Sequence, residues 1–213
     1  MIYLSQLLLN PQLRQVRAEL GNPYEMHRSL AKAFPHHQGN FSTVRCLFRV
    51  DVLPSTGQYA LLVQSRIEPC WDRLTVAETY LLRAPAVKEF TPAVEVGQRL
   101  RFRLRANPTK RIGADREDDK LACKRVQLFT DEEQMAWLQR KGQECGFALM
   151  DARISAVERQ ISRKGDGARV IHQAVTFDGV LRVIDPAAFR DALEAGIGPG
   201  KGFGFGLLSV ARG

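Results

Sequence analysis

Apolar and polar positions along the chain fall into two successive runs with the same order of elements. Residues 2–9 alternate and are β-prone, which predicts a strand. A polar segment without a predicted element follows, and then the stretch NPYEMHRSLAKAFP predicts a helix. Asn22 is placed to cap it, Pro23 suits the first helical position, and Glu25 can reach back to the cap. Met26, Leu30 and Ala33 form its apolar stripe, and Pro35 ends it. Residues 43–53 and 59–67 predict two strands about a PSTGQ turn. WDRLTVAETYLL predicts a second helix, and residues 86–90 a short strand.

After the connection FTPAVEVG the pattern repeats. In residues 98–107, Leu100, Phe102 and Leu104 share one face, and Arg99, Arg101, Arg103 and Arg105 share the other. That is a half-buried strand with a basic exposed face. Residues 108–122 are charged, with a DREDDK run that reads as a solvated loop. TDEEQMAWLQRKGQECG predicts a helix capped by Thr130, with acids in its first turn. Residues 153–163 and 168–184 predict a long hairpin about RKGDGA. DPAAFRDALEAG predicts a helix with Asp185 as cap, Pro186 first and Gly196 just past its end, and FGLLSVA predicts the last strand. Each half therefore reads β-α-β-β-α-β. The expected fold is α+β: two tandem ferredoxin-like (RRM-like) domains, residues 1–90 and 91–213, each a helix-backed antiparallel sheet.

Composition adds a partner class. The 213 residues carry 31 basic and 23 acidic side chains, a net charge of +8. Fixed positive charge concentrates phosphates and favours a polyanionic partner. The opening MIYLSQLLLNPQLRQV has no basic start ahead of its apolar run, so a signal peptide is not expected, and no apolar stretch is long enough to span a membrane. Cys46, Cys70, Cys123 and Cys145 form no CxxC pair, so zinc is not suggested, and reduced thiols in a cytoplasmic protein are expected.

The tail GIGPGKGFGFGLLSV needs a reason for its glycines, because glycine weakens helices and strands. It is not a P-loop: Gly200-Lys201 is followed by Gly202, and Ala195 stands at the first glycine position. It is not a dinucleotide fingerprint either, since Gly196 and Gly198 are followed by Lys201. Two readings stay open: a loop whose amides face an anion, or a tight turn between a helix and the final strand.

The same loop carries a resemblance. Gly196-Ile197-Gly198, five residues, then Gly204-Phe205-Gly206 fit the pattern GhGxxxxxGhG, with h hydrophobic. With RFRLRANPTKR and EEQMAWLQRKG, this run resembles the CasE family, the repeat-processing endoribonucleases of type I-E CRISPR systems. The resemblance implies two ferredoxin-like domains and metal-independent cutting, without a cofactor, at the 3′ base of the stem-loop in CRISPR repeat RNA. It further implies retention on the crRNA hairpin as a subunit of the Cascade complex. A non-catalytic subunit that only binds an RNA hairpin is the alternative.

RNA cutting without metal needs one group to take or orient the 2′ proton and another to protonate the leaving 5′ oxygen. Histidine suits either task near neutral pH. Tyr24 and His27, three residues apart, share one face of the first helix, beside its core stripe. The resemblance implies that His27 is the catalytic residue, as acid or base, with Tyr24 positioning the phosphate or assisting at the 2′-OH. His36 and His37 are expected to be exposed in a polar loop after Pro35, His172 in the hairpin is expected either to pack or to face RNA, and Lys32 lies on the far side of the helix.

Three basic groups are candidates to hold RNA. One is Arg103, Arg105, Lys110 and Arg111. The hairpin group is Arg159, Arg163, Lys164 and Arg169, which the resemblance places against the stem. The last is Lys201 in the loop of Gly196, Gly198, Gly200, Gly202, Gly204 and Gly206. Those glycines let the backbone pass close either to RNA or to the helix bearing His27. Phe203 and Phe205 are candidates to stack on bases or to pack in the core.

Overall fold

The computed structural model describes residues 1–37, 41–74, 79–112, 125–163, 165 and 167–212. In the first half, β1 (Ile2–Leu8) is followed by α1 (Arg14–Gly21), α2 (Pro23–Ala31) and α3 (Phe41–Val44), then β2 (Leu47–Val52), β3 (Tyr59–Ser65) and β4 (Ala86–Phe90). The second half runs β5 (Arg99–Ala106), β6 (Thr109–Arg111), β7 (Arg125–Gln127), α4 (Asp131–Glu144), β8 (Phe147–Arg163), β9 (Arg169–Val183), α5 (Pro186–Ala195) and β10 (Leu208–Arg212). The sheets are ordered β2-β3-β1-β4 and β10-β5-β9-β8, with every pairing antiparallel. Numbered within each half, both give the ferredoxin-like order 4-1-3-2. The short β6–β7 ribbon stands apart from both sheets.

Each sheet buries one face under its helices. In the first half Met26, Leu30 and Phe34 meet Leu7, Phe48, Leu61 and Val63. In the second, Trp137, Leu138, Phe189 and Leu193 meet Phe102, Leu104, Phe177 and Leu181. The alternation in β5 holds as expected, with Leu100, Phe102 and Leu104 inside. Thr130 accepts a hydrogen bond from the Glu133 amide, and Asp185 accepts from the amides of Ala187 and Ala188.

Several expectations are corrected. Residues 14–21, apparently only polar, form α1. Its inward face rests on Val16 and a buried carboxylate, Glu19, which accepts from Ser29 at 2.6 Å, Gln15 at 2.8 Å and the Tyr80 hydroxyl. The helix expected from Trp71 shortens to a 3-10 turn at Trp71–Arg73, and residues 75–78 lie outside the described residues. Trp71 is anchored to Ser5 (Nε1 to Oγ, 3.0 Å), and Leu81 forms a bridge with Leu9. Strand β8 begins at Phe147, six residues before the expected start, and is bent by irregularities at Leu149/Asp151 and Ile154/Ala156. Asn22 does not cap α2 with its side chain, and Glu25 pairs with Arg28 instead of reaching back. The Asn22 amide crosses to the other half: Nδ2 donates to the Arg163 carbonyl at 3.0 Å, and Oδ1 accepts from the Arg163 amide at 3.1 Å.

The seam between the halves is polar and closely bonded. Arg49, 4% exposed, binds Asp51 with Nε and Nη2 and donates to the carbonyls of Arg103 at 3.3 Å and Leu207 at 3.4 Å. Gln64 donates to the Leu193 carbonyl at 2.7 Å. Among the described residues, no helix is long and apolar enough to cross a membrane.

Candidate active site and RNA interface

The glycine-rich segment leaves α5 at Gly196, makes a 3-10 turn at Lys201–Phe203 and enters β10. Five of its six glycines have positive φ: Gly196, Gly198, Gly200, Gly204 and Gly206. Two positions show why side chains are not tolerated. A Cβ on Gly198 would stand 2.9 Å from the Trp137 ring, and one on Gly206 would stand 2.9 Å from the Ile197 carbonyl oxygen. At these two positions the close approach is to the protein's own atoms. Phe205 is fully buried, whereas Phe203 is half-buried at the surface of the turn.

This turn lies over the helix that carries the candidate catalytic residues. A Cβ on Gly202 would sit 3.7 Å from His27 Nε2, so the loop backbone covers one face of the imidazole. The Phe48 ring stacks with the imidazole, with centroids 6.3 Å apart and planes 22° apart. Tyr24 meets Phe203 at 6.1 Å between ring centroids. Tyr24 and His27 are thus brought together under one turn, both half-buried. Burial holds the His27 imidazole below its ordinary pKa, because desolvation penalises the cation. The neutral ring, able to accept a proton, is the form present near neutral pH.

The turn is held from the other side by the β8–β9 hairpin. Gln160 donates to the Phe203 carbonyl at 3.0 Å. His172 packs against Phe203 at 4.6 Å and Phe205 at 5.3 Å, and burial lowers its pKa as well. A chain of contacts thus runs from the hairpin through Phe203 to Tyr24. The sequence left His172 as a packing or an RNA-facing position of the hairpin and did not single out Gln160.

The basic candidates separate into different settings. Arg103 binds Asp178 through two bonds of 2.7 and 2.9 Å and approaches Asp51 at 3.6 Å. Arg105 binds Glu158 at 2.8 Å and Gln160 at 2.9 Å, and lies over the Phe205 ring. Both are engaged within the protein. They line a cleft of about 660 Å³ between the halves, together with Arg159 and the acids Glu19, Asp51 and Glu158. Met26 and Phe203 border this cleft; Tyr24 and His27 do not line it. Arg159, Arg163 and Arg169 are exposed along the hairpin, and Lys164 lies outside the described residues.

Lys110, Arg111 and Lys201 meet elsewhere. With Arg125, Arg140 and Lys141 they line a basin of about 710 Å³ beside Gly198 and Gly200. Lys110 reaches the exposed Glu133 at 3.1 Å, and Glu144 stands near Arg140 and Lys141. Burial, then Arg45 and Lys141, hold the Lys201 ammonium below its ordinary pKa. Arg125, Arg140, Lys141 and Arg45 were not singled out in the sequence, although Arg140 and Lys141 stand inside the EEQMAWLQRKG run. The DREDDK run lies outside the described residues.

Comparison with known proteins follows the same lines. The family model described as "CRISPR associated protein" matches residues 2–212. The chain is 41% identical over 223 residues to the CRISPR-associated endoribonuclease Cse3 of Thermus thermophilus, covering 99% of this chain and 100% of that one. It is 35% identical over 215 residues to the CRISPR system Cascade subunit CasE of Escherichia coli K12, covering 99% of each. Its fold matches Thermus thermophilus Cse3 bound to an RNA representing a pre-cleavage complex, with a TM-score of 0.84 and 40% identity over 99% of both chains. The chain belongs to the CasE/Cse3 family of CRISPR-associated proteins.

Proposed function

We propose that this protein is the endoribonuclease that cuts CRISPR repeat RNA at the 3′ base of its stem-loop, and that it stays on the crRNA hairpin within a Cascade complex in the cytoplasm. The observation that carries this reading is the position of His27. It is a neutral imidazole held between Phe48 and the Gly202 backbone, one helical turn from Tyr24. Two relatives matched along the full chain, one named as an endoribonuclease and one as a Cascade subunit, support it.

The reaction is an internal transfer. The 2′ oxygen forms a bond to the adjacent phosphorus as the bond from phosphorus to the 5′ oxygen breaks. The products are a 2′,3′-cyclic phosphate and a 5′-OH. His27 Nε2 takes the 2′ proton, a role suited to a base kept neutral by burial, and the imidazolium so formed gives a proton to the leaving 5′ oxygen. Tyr24 positions the scissile phosphate. The exposed hairpin residues Arg159, Arg163 and Arg169 face the stem, and Arg103 and Arg105, bonded within the second sheet, line the cleft.

The test is a labelled repeat hairpin incubated with the protein in EDTA, with and without a 2′-deoxy sugar at the cut site. Cleavage of the ribose RNA alone, leaving a cyclic phosphate, is expected. Tight binding with neither RNA cut would instead support a binding subunit in which Phe48 and His27 only pack.

A further inference from the structure

We propose that the basin beside the glycine-rich loop is a second RNA site, which takes the single-stranded phosphodiester backbone flanking the hairpin. The inference rests on the reading of the protein as a hairpin-cutting nuclease. Six basic residues line the basin, namely Lys110, Arg111, Arg125, Arg140, Lys141 and Lys201, and no acid does among the described residues.

The basin is costly to keep when empty. Arg111 and Arg125 stand directly opposite each other in the β6–β7 ribbon, where facing like charges destabilise the pairing. Lys201 is partly buried, with Arg45 and Lys141 close enough to oppose its charge. Arg45 itself holds φ +49, the one positive value at a non-glycine among the described residues. The nearby carboxylates Glu133 and Glu144 are exposed, and such surface pairs yield readily to a stronger partner. A polyanion offsets the facing charges of the ribbon and the like charges about Lys201.

Continuity with the cleavage centre selects the occupant. Lys201 is the neighbour of Gly202, which lies on His27. Arg163, on the arm proposed to hold the stem, is tied to Asn22 at the start of α2. The arm and the basin therefore meet the catalytic helix from two directions. A strand leaving the stem at the cut site passes His27 and enters the basin. Its bases remain unpaired, because a pocket between a loop, a helix and a ribbon admits one backbone rather than a rigid duplex.

Three RNAs test this, each with a 2′-deoxy sugar at the cut site: the bare hairpin, and hairpins extended by unpaired nucleotides on the 3′ or the 5′ side. Each is titrated against the native protein and against an Arg125→Ala/Arg140→Ala variant. One extension should tighten native binding about tenfold and steepen the salt slope by about 0.7 for each phosphate neutralised. The variant should lose that gain and still bind the bare hairpin. The extension that gains identifies the flank in the basin. If the variant fails on the bare hairpin, Arg111→Gln carries the same comparison, since it removes a facing like charge. Equal affinity of all three RNAs for the native protein, or a gain that survives the substitutions, overturns the proposal. If native protein fails to bind the bare hairpin, the nuclease reading falls first and this inference with it.

Discussion

The cleft between the halves and the basin by the glycine loop are similar in volume, about 660 and 710 Å³, but the cleft is lined by acids and bases together and the basin by bases. In the cleft Arg103 and Arg105 are already bonded to Asp178 and Glu158. In the basin like charges face each other and the carboxylates stand outside the lining. Basic residues thus serve two purposes in one chain. The paired arginines tie strands of the second sheet together, and on our proposal the crowded ones keep a place for an anion. Net charge counts both alike, whereas the local ratio of acids to bases separates them.

Substitutions can break or sharpen this contrast. His27, under the turn near the basin, gives the largest effect: His27→Ala should slow single-turnover cleavage by about 10²–10⁴-fold and leave hairpin affinity intact. Retained cleavage would remove His27 from the reaction. In the seam, Arg49→Ala removes the donor to Asp51 and to the carbonyls of Arg103 and Leu207, while Arg103 stays beside Asp51, and should cost about 1–3 kcal/mol of folding stability in urea titration. A loss below 1 kcal/mol would mean that the seam does not rely on this pair. A smaller effect distinguishes the two arginine classes directly. Arg111→Ala should lower the salt slope of RNA binding by about 0.7 without lowering the melting temperature, while Arg103→Ala should lower the melting temperature and spare the slope. The reverse result would exchange the roles of cleft and basin.

The smallest effect is a pH dependence. His27 and His172 are both held below their ordinary pKa by burial. The unfolded chain takes up their protons near pH 6.5, before the folded protein does. The stability from keeping them neutral is therefore complete above about pH 6.5 and is lost as the pH falls through the lower folded values. Urea midpoints should be flat above neutrality and fall in acid, and His172→Phe should reduce that fall. An unchanged acid response in the variant would show that His172 adds nothing to it.

The parts of the fold legible in the sequence were those with local causes. Alternation marked β5, the caps Thr130 and Asp185 marked α4 and α5, and the helical offset placed Tyr24 and His27 on one face. The parts that were not legible depend on distant partners. Nothing near Glu19 says that Ser29 and Tyr80 will bury its carboxylate, so α1 read as polar chain. The exposed face of β5 reads as basic, but Asp178, which binds Arg103, is 75 residues away. The basin draws on four elements whose separate charges resemble ordinary solvated surface. The glycine run was recognisable as a motif, yet its close contacts, Leu47, Trp137 and the Ile197 carbonyl among them, appear only once the two halves are assembled.

The bond between Asn22 and residue 163 has a consequence for how such proteins diversify. Asn22 reads only the main-chain amide and carbonyl of the arm, and no side chain of the arm takes part in that bond. The mounting is thus indifferent to what the arm displays. Arm sequences can be exchanged to suit different repeats while the joint to the catalytic helix keeps its form, provided position 22 remains an asparagine.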